Sequence, residues 1–209
     1  MPNGAAATSD RRAELLALAA RMFAERGLKA TTVRDIADAA GILSGSLYHH
    51  FDSKESMVDE ILRGFLDALF ARYRQIAAQG HQPREALEQI VVASFEAIDS
   101  HRDAVAIYQA EAAHLADEER FGYINELLQE FRTLWHTVLR DGVADGSFRA
   151  DLDVDLAYRF MRDTVWVAVR WYRPGGTLDI DVVAQQYLSI VLDGIATRRR
   201  PVRRTTAGK

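Results

Sequence analysis

The sequence contains no cysteine among its 209 residues, and only four prolines. The absence of thiols excludes disulfide bonds, thiolate zinc sites and cysteine nucleophiles, and makes the reducing cytoplasm the expected compartment. No apolar run approaches the roughly 20 residues that a membrane-spanning helix needs, and the first dozen residues lack the apolar stretch of a secretory signal. With 48% hydrophobic and 27% charged residues, the composition predicts a globular protein.

Motifs of catalysis are equally scarce. The sequence has no G-x-S-x-G nucleophile elbow and no glycine-rich phosphate loop. Its six histidines are scattered, apart from His49 and His50, whose adjacent positions on a helix would point the rings about 100° apart. Helical zinc sites use i,i+4 spacing instead. The chain is therefore predicted not to be an enzyme and to hold no metal or cofactor.

Charge is distributed unevenly along the chain. Residues 1–80 hold 10 basic and 10 acidic side chains, residues 81–195 hold 10 and 20, and residues 196–209 hold 6 and none. A nucleic-acid-binding protein needs a basic contact face but no basic average. The neutral N-terminal part is therefore compatible with DNA, whereas the acidic middle would repel it and suits a regulatory or assembly role.

Apolar residues recur at helical spacing through most of the chain, and strand patterns are nearly absent. This predicts an all-α fold with about nine helices. The predicted helices cover residues 10–26, 32–40, a short segment ending near 50, 54–79, 83–100, 102–115, 118–141, 153–172 and 180–197. We expect a DNA-binding domain at 9–56, linked by the long helix 54–79 to an effector-binding and dimerisation domain at 57–198. Residues 1–8 are expected to fray, and 199–209 to form a basic flexible tail.

The segment 31–55 (TTVRDIADAAGILSGSLYHHFDSKE) predicts two short helices that meet at Gly41. Small and apolar side chains can form a core between them, which is helix-turn-helix geometry. These are Ile36, Ala37, Ala40, Leu47 and Phe51. The second helix carries small polar groups and rings, which suit phosphates and base edges. An ordinary helical hairpin with a polar face would fit this spacing equally well.

The same segment resembles the N-terminal signature of TetR-family transcriptional regulators. The matching residues are Thr32, Arg34, Asp35, Ile36, Ala37, Ala40, Gly41, Gly45, Leu47, Tyr48, His49, Phe51, Ser53, Lys54 and Glu55. One position departs from the pattern, because the family usually has a serine where this chain has Leu43. That serine commonly caps the recognition helix, so we expect Ser44 to take over the cap with a shifted helix start.

The resemblance implies a set of DNA contacts in a homodimer bound to double-stranded DNA. Contacts to the DNA backbone are expected from Thr32, Tyr48, His49 and Lys54, and contacts to base edges from Ser44, Gly45 and Ser46. Arg34 is a weaker candidate, since it can instead pair with Asp38 at i,i+4. The last two helices are apolar and suit a four-helix bundle between two chains, although they could also pack within one chain.

In the acidic part, Arg162 and Trp166 stand at i,i+4 on the penultimate predicted helix. A guanidinium beside an indole suits a ligand with an anion and a flat apolar body. The predicted effector-binding residues are Arg162, Trp166, Tyr158, Arg170, Trp135 and Tyr108. The alternative is that Arg162 pairs with a carboxylate and that Trp166 belongs to the core.

The C-terminal part, including GSFRADLDVDLAYRFMRDTVWVAVRWYRPGG, further resembles TetR-type repressors of steroid-ring degradation in bacteria. That resemblance implies a coenzyme A thioester of the indanedione propanoate from the last two cholesterol rings as effector. Arginines such as Arg162 or Arg170 would neutralise its phosphates, and Trp166 and Trp135 would contact the bicyclic group. A fatty acyl-CoA or another amphiphile is the alternative effector.

Overall fold

The computed structural model describes residues 4–193, with side chains from residue 10 onward. These residues form nine α-helices and no β-strand, which confirms the predicted all-α class. The helices are α1 (Gly4–Arg26), α2 (Val33–Ala39), α3 (Ser44–Leu47), α4 (Lys54–Ala78), α5 (Pro83–Ser100), α6 (Arg102–Leu115), α7 (Tyr123–Ala144), α8 (Val154–Val167) and α9 (Ile180–Asp193). Short 3-10 turns occupy Glu119–Phe121 and Ala168–Arg170.

Local sequence explains most of the helix ends. Gly27 and Gly41 have φ values of 86° and 69°, so each ends a helix in a conformation that favours glycine. Thr32 and Asp35 form a reciprocal capping box at the start of α2. Ser53 caps α4 in the same way, with Ser56 as its partner. These predicted boundaries are confirmed.

Several predicted boundaries differ. The predicted helix 153–172 ends as α8 at Val167, and a 3-10 turn follows at Ala168–Arg170. Helix α1 begins at Gly4 rather than residue 10, because its alanine-rich first turns favour helix. The predicted helix 118–141 is divided into a 3-10 turn and α7, and α7 runs through Gly142 to Ala144. A Cβ on Gly142 would lie 2.1 Å from the Phe148 ring, so this glycine permits close packing instead of ending the helix. The predicted helix end at 197 and the basic tail lie outside the described residues.

Helices α4 and α5 form the centre of the fold. Helix α5 packs against α4, α7, α8 and α9, while α1 packs against both α4 and α6. One hydrophobic core continues from α1 to α9. Inside it the Tyr73 hydroxyl lies 2.6 Å from Ser94 Oγ, and Ser94 donates to the Ile90 carbonyl at 2.7 Å. In residues 4–193, no helix is long and apolar enough to cross a membrane.

Candidate DNA-binding surface and ligand cavity

Helices α2 and α3 pack through the small core expected from the sequence. Ile36 and Ala37 are fully buried, Leu47 and Phe51 are nearly so, and Ala40 packs partly buried against them. The Ile42 amide donates to the Ala37 carbonyl at 3.0 Å and closes the turn between the helices. The buried side of the pair is therefore apolar, and its opposite side is left to polar groups.

The predicted base-edge and DNA-backbone residues of α3 lie on that outer side. Gly45, Tyr48 and His49 are exposed, and Ser44 and Ser46 are half-buried. Tyr48 keeps 54% of its surface exposed, which is high for an aromatic side chain. These five residues form the outer face of the helix pair, together with exposed Thr32 and Arg34.

The hydroxyl of Thr32 is already used within the protein. It donates to Asp35 Oδ2 at 2.6 Å, and the Thr32 amide donates to the same oxygen at 2.8 Å. These hydrogen bonds hold the pKa of the Asp35 carboxyl below its ordinary value. If this hydroxyl donates to a phosphate, that contact has to replace the hydrogen bond that it donates to Asp35 Oδ2. The cap of α2 stays in place, because the hydroxyl oxygen also accepts from the Asp35 amide.

The two basic residues predicted to contact DNA, Arg34 and Lys54, differ in how firmly other groups of the protein hold them. Arg34 Nε lies 3.8 Å from Asp38, but both side chains are more than two-thirds exposed, so the alternative pairing exists and is weak. Lys54 Nζ instead donates to the Leu28 carbonyl at 2.9 Å and lies 3.5 Å from the Thr31 carbonyl. Lys54 thus fastens the α1–α2 loop to the start of α4.

The expected shift of the recognition-helix start is wrong. Leu43 occupies the cap position of α3, with Ser44 as the first helical residue, and no side chain of the described residues accepts from the first turn. The reason is the Leu43 backbone, which is extended and accepts from the Ser46 amide at 2.9 Å, so the helix already starts there. The Leu43 side chain is 80% exposed beside the outer face.

Arg12 joins α1, the end of α3 and α4, a role that the sequence did not reveal. Its guanidinium forms a two-point ion pair with Glu60, with Nη2 at 2.6 Å from Oε2. Its Nε donates to the His50 carbonyl at 3.3 Å, and its Cζ lies 4.5 Å from the centre of the Phe51 ring. Since 48 residues separate Arg12 from Glu60, no local pattern signals this contact.

A half-open cavity of about 340 Å³ lies among α4, α6, α7 and α8. Its wall is mostly apolar and includes Phe65, Phe131 and Trp166, and its charged groups are Arg162 and Asp163. Burial raises the pKa of the Tyr108 hydroxyl, which also lines the cavity, to about 12, so it stays a neutral donor or acceptor. This volume is typical of a small-molecule site.

Arg162 and Trp166 both line this cavity, and their i,i+4 spacing places them on the same face of α8. Trp166 is 7% exposed and meets the Phe65 ring edge-on at 6.1 Å. The Nε and Nη2 atoms of Arg162 lie 2.6 Å from Asp163 Oδ1. Arg162 therefore pairs with a carboxylate, as the alternative interpretation expected, and still lines the cavity. The carboxylate belongs to the next residue, Asp163, and not to a residue of another helix.

The other three predicted effector residues lie away from the cavity wall. Trp135 is fully buried behind Phe131, at 5.7 Å between ring centres, and its indole N–H has no acceptor among the described residues. Tyr158 is buried beside Trp135 at 6.3 Å, with Arg162 5.3 Å from its ring. Arg170 is exposed in the 3-10 turn after α8. Of the six, only Arg162, Trp166 and Tyr108 reach the cavity.

Helix α6 connects the cavity with the DNA-binding part. Its residues Tyr108, Gln109, Ala110, Ala112 and Ala113 line the cavity. Its last turn, with His114 and Leu115, borders a smaller hollow of about 160 Å³ whose other walls include Leu28 and Lys54. One helix therefore touches both the ligand cavity and the loop that Lys54 fastens.

Apolar side chains remain exposed on α8, on α9 and just after α8. They are Leu156, Phe160, Val167, Trp171, Val182 and Ile190, each between 39% and 68% exposed. Large apolar side chains left exposed in this number are typical of an association surface. No group of three or more acidic or histidine side chains in residues 4–193 is placed to hold a metal ion.

Comparisons with known proteins agree over nearly the whole chain. Residues 15–61 match the family described as bacterial regulatory proteins, tetR family, and residues 80–195 match the family described as Tetracyclin repressor-like, C-terminal domain. The HTH-type transcriptional repressor KstR2 of Rhodococcus jostii (strain RHA1) is 69% identical over 189 residues, covering 90% of this chain and 93% of that protein. KstR2 of Mycobacterium tuberculosis (strain ATCC 25618 / H37Rv) is 62% identical over 195 residues, covering 93% and 98%.

A solved structure is similar over nearly the same share of the chain. The ketosteroid transcriptional regulator KstR2 of Mycobacterium tuberculosis superposes with a TM-score of 0.86 at 64% sequence identity. The match covers 90% of this chain and 95% of that one, so both the DNA-binding part and the cavity-bearing part are included.

Proposed function

Since the chain belongs to the TetR family of bacterial transcriptional regulators, we propose that it is a homodimeric repressor of steroid-ring degradation genes. We propose further that a coenzyme A thioester of the indanedione propanoate releases it from its operators. The observation that carries the proposal is the 69% identity, over 90% of the chain, to a repressor named KstR2. The members of this family are regulators rather than enzymes.

DNA binding by a pair of chains follows from the geometry of a short recognition helix. Helix α3 has only four residues, so one copy offers few contacts. Two copies related by a two-fold axis read a palindrome whose half-sites lie about 34–36 Å apart, or a multiple of that distance. The exposed apolar side chains of α8 and α9 supply a surface for the four-helix contact between the chains.

The size and lining of the cavity support the acyl part of the proposed effector. Its aromatic wall suits a bicyclic acyl group, and Arg162 supplies a cation at the same wall. A volume of about 340 Å³ leaves the nucleotide end of coenzyme A outside the cavity. Exposed Arg170, three residues beyond the end of α8, is the second arginine that we propose for the phosphates.

Release requires the effector to prefer an arrangement that cannot bind DNA. Helix α6 provides the connection, because it lines the cavity and also borders the loop held by Lys54. A change in α6 would alter the position of the recognition helices relative to each other in the dimer. We place this regulator in the cytoplasm, where the bacterial chromosome is.

Footprinting of the promoters that flank its own gene tests the proposal. We expect protection of a palindrome that disappears with the indanedione propanoate thioester and persists with free coenzyme A. If instead a fatty acyl-CoA removes the protection and the steroid thioester does not, the family function stands and the effector is the alternative one. Absence of any protected site in steroid-degradation promoters would contradict the proposed gene set.

A further inference from the structure

Leu43 breaks a local rule of helix formation. Leucine is among the poorest residues at a helix cap position, and serine, threonine, asparagine or aspartate there stabilises a helix by about 1 kcal/mol relative to apolar residues. The described residues supply no side-chain cap to α3 in its place. Nor does the side chain add to the core, because 80% of its surface is exposed. Neither helix stability nor packing therefore explains a leucine at this position.

The position of Leu43 points to a contact with DNA. It immediately precedes Ser44 and Gly45 at the start of the recognition helix, the end that meets base edges in helix-turn-helix proteins. The Leu43 backbone is extended, with φ of −71° and ψ of 143°, and is held by the bond from Ser46. The side chain thus projects from a fixed start of the helix.

The chemistry of the major groove identifies the partner. The C5-methyl group of thymine is the largest apolar group that the major groove displays, since cytosine offers only a C5–H there and most of the other groups are hydrogen-bond donors or acceptors. A leucine side chain therefore gains most from contact with this methyl group. We propose that Leu43 is a specificity-determining residue that selects thymine in each half-site by apolar contact with its methyl group.

This inference rests on the proposed DNA-binding function, and it extends it by one residue and one base. It assigns Leu43 a direct role in sequence selection beside the polar groups of Ser44 and Ser46. The contact with thymine also explains why the Leu43 side chain is exposed in the free protein, since that contact forms only on DNA.

The test uses duplexes that the full-length protein selects from a random library. Each thymine of the selected duplex is replaced singly by deoxyuridine, which removes the methyl group and keeps base pairing. Binding of the wild type, Leu43→Ser and Leu43→Met is measured by fluorescence anisotropy. Serine restores a cap and removes the apolar group, whereas methionine keeps an apolar group of similar volume.

We expect one thymine per half-site whose conversion to deoxyuridine weakens the wild type about fourfold, and about fifteenfold when both half-sites are changed, as for burial of one methyl group each. Leu43→Met should retain this sensitivity, and Leu43→Ser should lose it at that thymine alone. Equal sensitivity of the wild type and Leu43→Ser at every thymine, or selected half-sites without a preferred thymine, would overturn the inference and leave DNA binding intact. Failure to select any duplex would overturn both.

Discussion

Replacement of Arg162 by methionine is expected to weaken binding of the proposed coenzyme A thioester. Arg162 is the one basic side chain among the residues that line the described cavity, and its neighbour at the wall is Trp166. Methionine fills a similar volume without charge or N–H donors. The substitution therefore removes the cation while the apolar wall stays in place.

The magnitude follows from the existing pair with Asp163. A hydrogen bond to a charged group contributes about 1.5–3 kcal/mol, but an anionic ligand must compete with the carboxylate already 2.6 Å from the guanidinium. Side-chain exposure of 35% and 66% adds solvent screening. We therefore expect the loss to be near the lower end, about 1.4 kcal/mol or tenfold in Kd. By the same logic, Asp163→Asn should strengthen binding several-fold.

Isothermal titration of both variants with the thioester, and with the neutral methyl ester of the same acid, distinguishes charge from shape. Arg162→Met should weaken the thioester about tenfold and leave the methyl ester within about twofold. Arg159→Met, an exposed arginine of the same helix that does not line the cavity, is the matched control. Equal losses for both ligands would refute the charge argument, and so would a control variant that loses as much.

Four further substitutions test the fold and the assembly. Arg12→Met removes the ion pair with Glu60 and should lower the free energy of unfolding by about 1 kcal/mol in chemical denaturation, because both side chains are more than a third exposed and solvent screens the pair. It should also weaken operator binding, and unchanged affinity would contradict the role of Arg12 in positioning α3. Gly142→Ala should lower the melting temperature, since its Cβ would lie 2.1 Å from Phe148, at about 1–3 kcal/mol for overpacking. Gly64→Ala, whose Cβ meets nothing described within 4 Å, should stabilise α4 by up to about 1 kcal/mol, and a loss there would refute the steric argument. Phe160→Glu, at a side chain 68% exposed, should convert the dimer to monomer in analytical ultracentrifugation, and an unchanged dimer would exclude this face.

Features that depend on neighbouring residues could be predicted from the sequence. The helix caps follow from side chains three residues apart, at Thr32 and at Ser53. The helix ends at Gly27 and Gly41 follow from the positive φ that glycine tolerates. The placement of Arg162 and Trp166 on the same face of α8 follows from helical periodicity. Local chemistry determines each of these, so one sequence suffices.

Features that depend on distant residues could not be predicted. The Arg12–Glu60 pair joins positions 48 residues apart, and the role of Gly142 depends on where Phe148 folds back. Trp135 and Tyr158 were expected to meet a ligand, yet α7 and α8 bury them behind the cavity wall. Periodicity places a residue on a face of its helix, but only tertiary packing decides whether that face borders a cavity or a neighbouring helix.

The central claim is that two copies hold one palindrome and release it when the effector binds. Its most direct test is an anisotropy titration of a labelled promoter duplex, first with protein and then with the indanedione propanoate thioester. We expect saturation at an even number of protomers per duplex, followed by loss of the bound signal with the thioester and not with free coenzyme A. A bound signal that persists at saturating thioester, or saturation at one protomer per duplex, would contradict it.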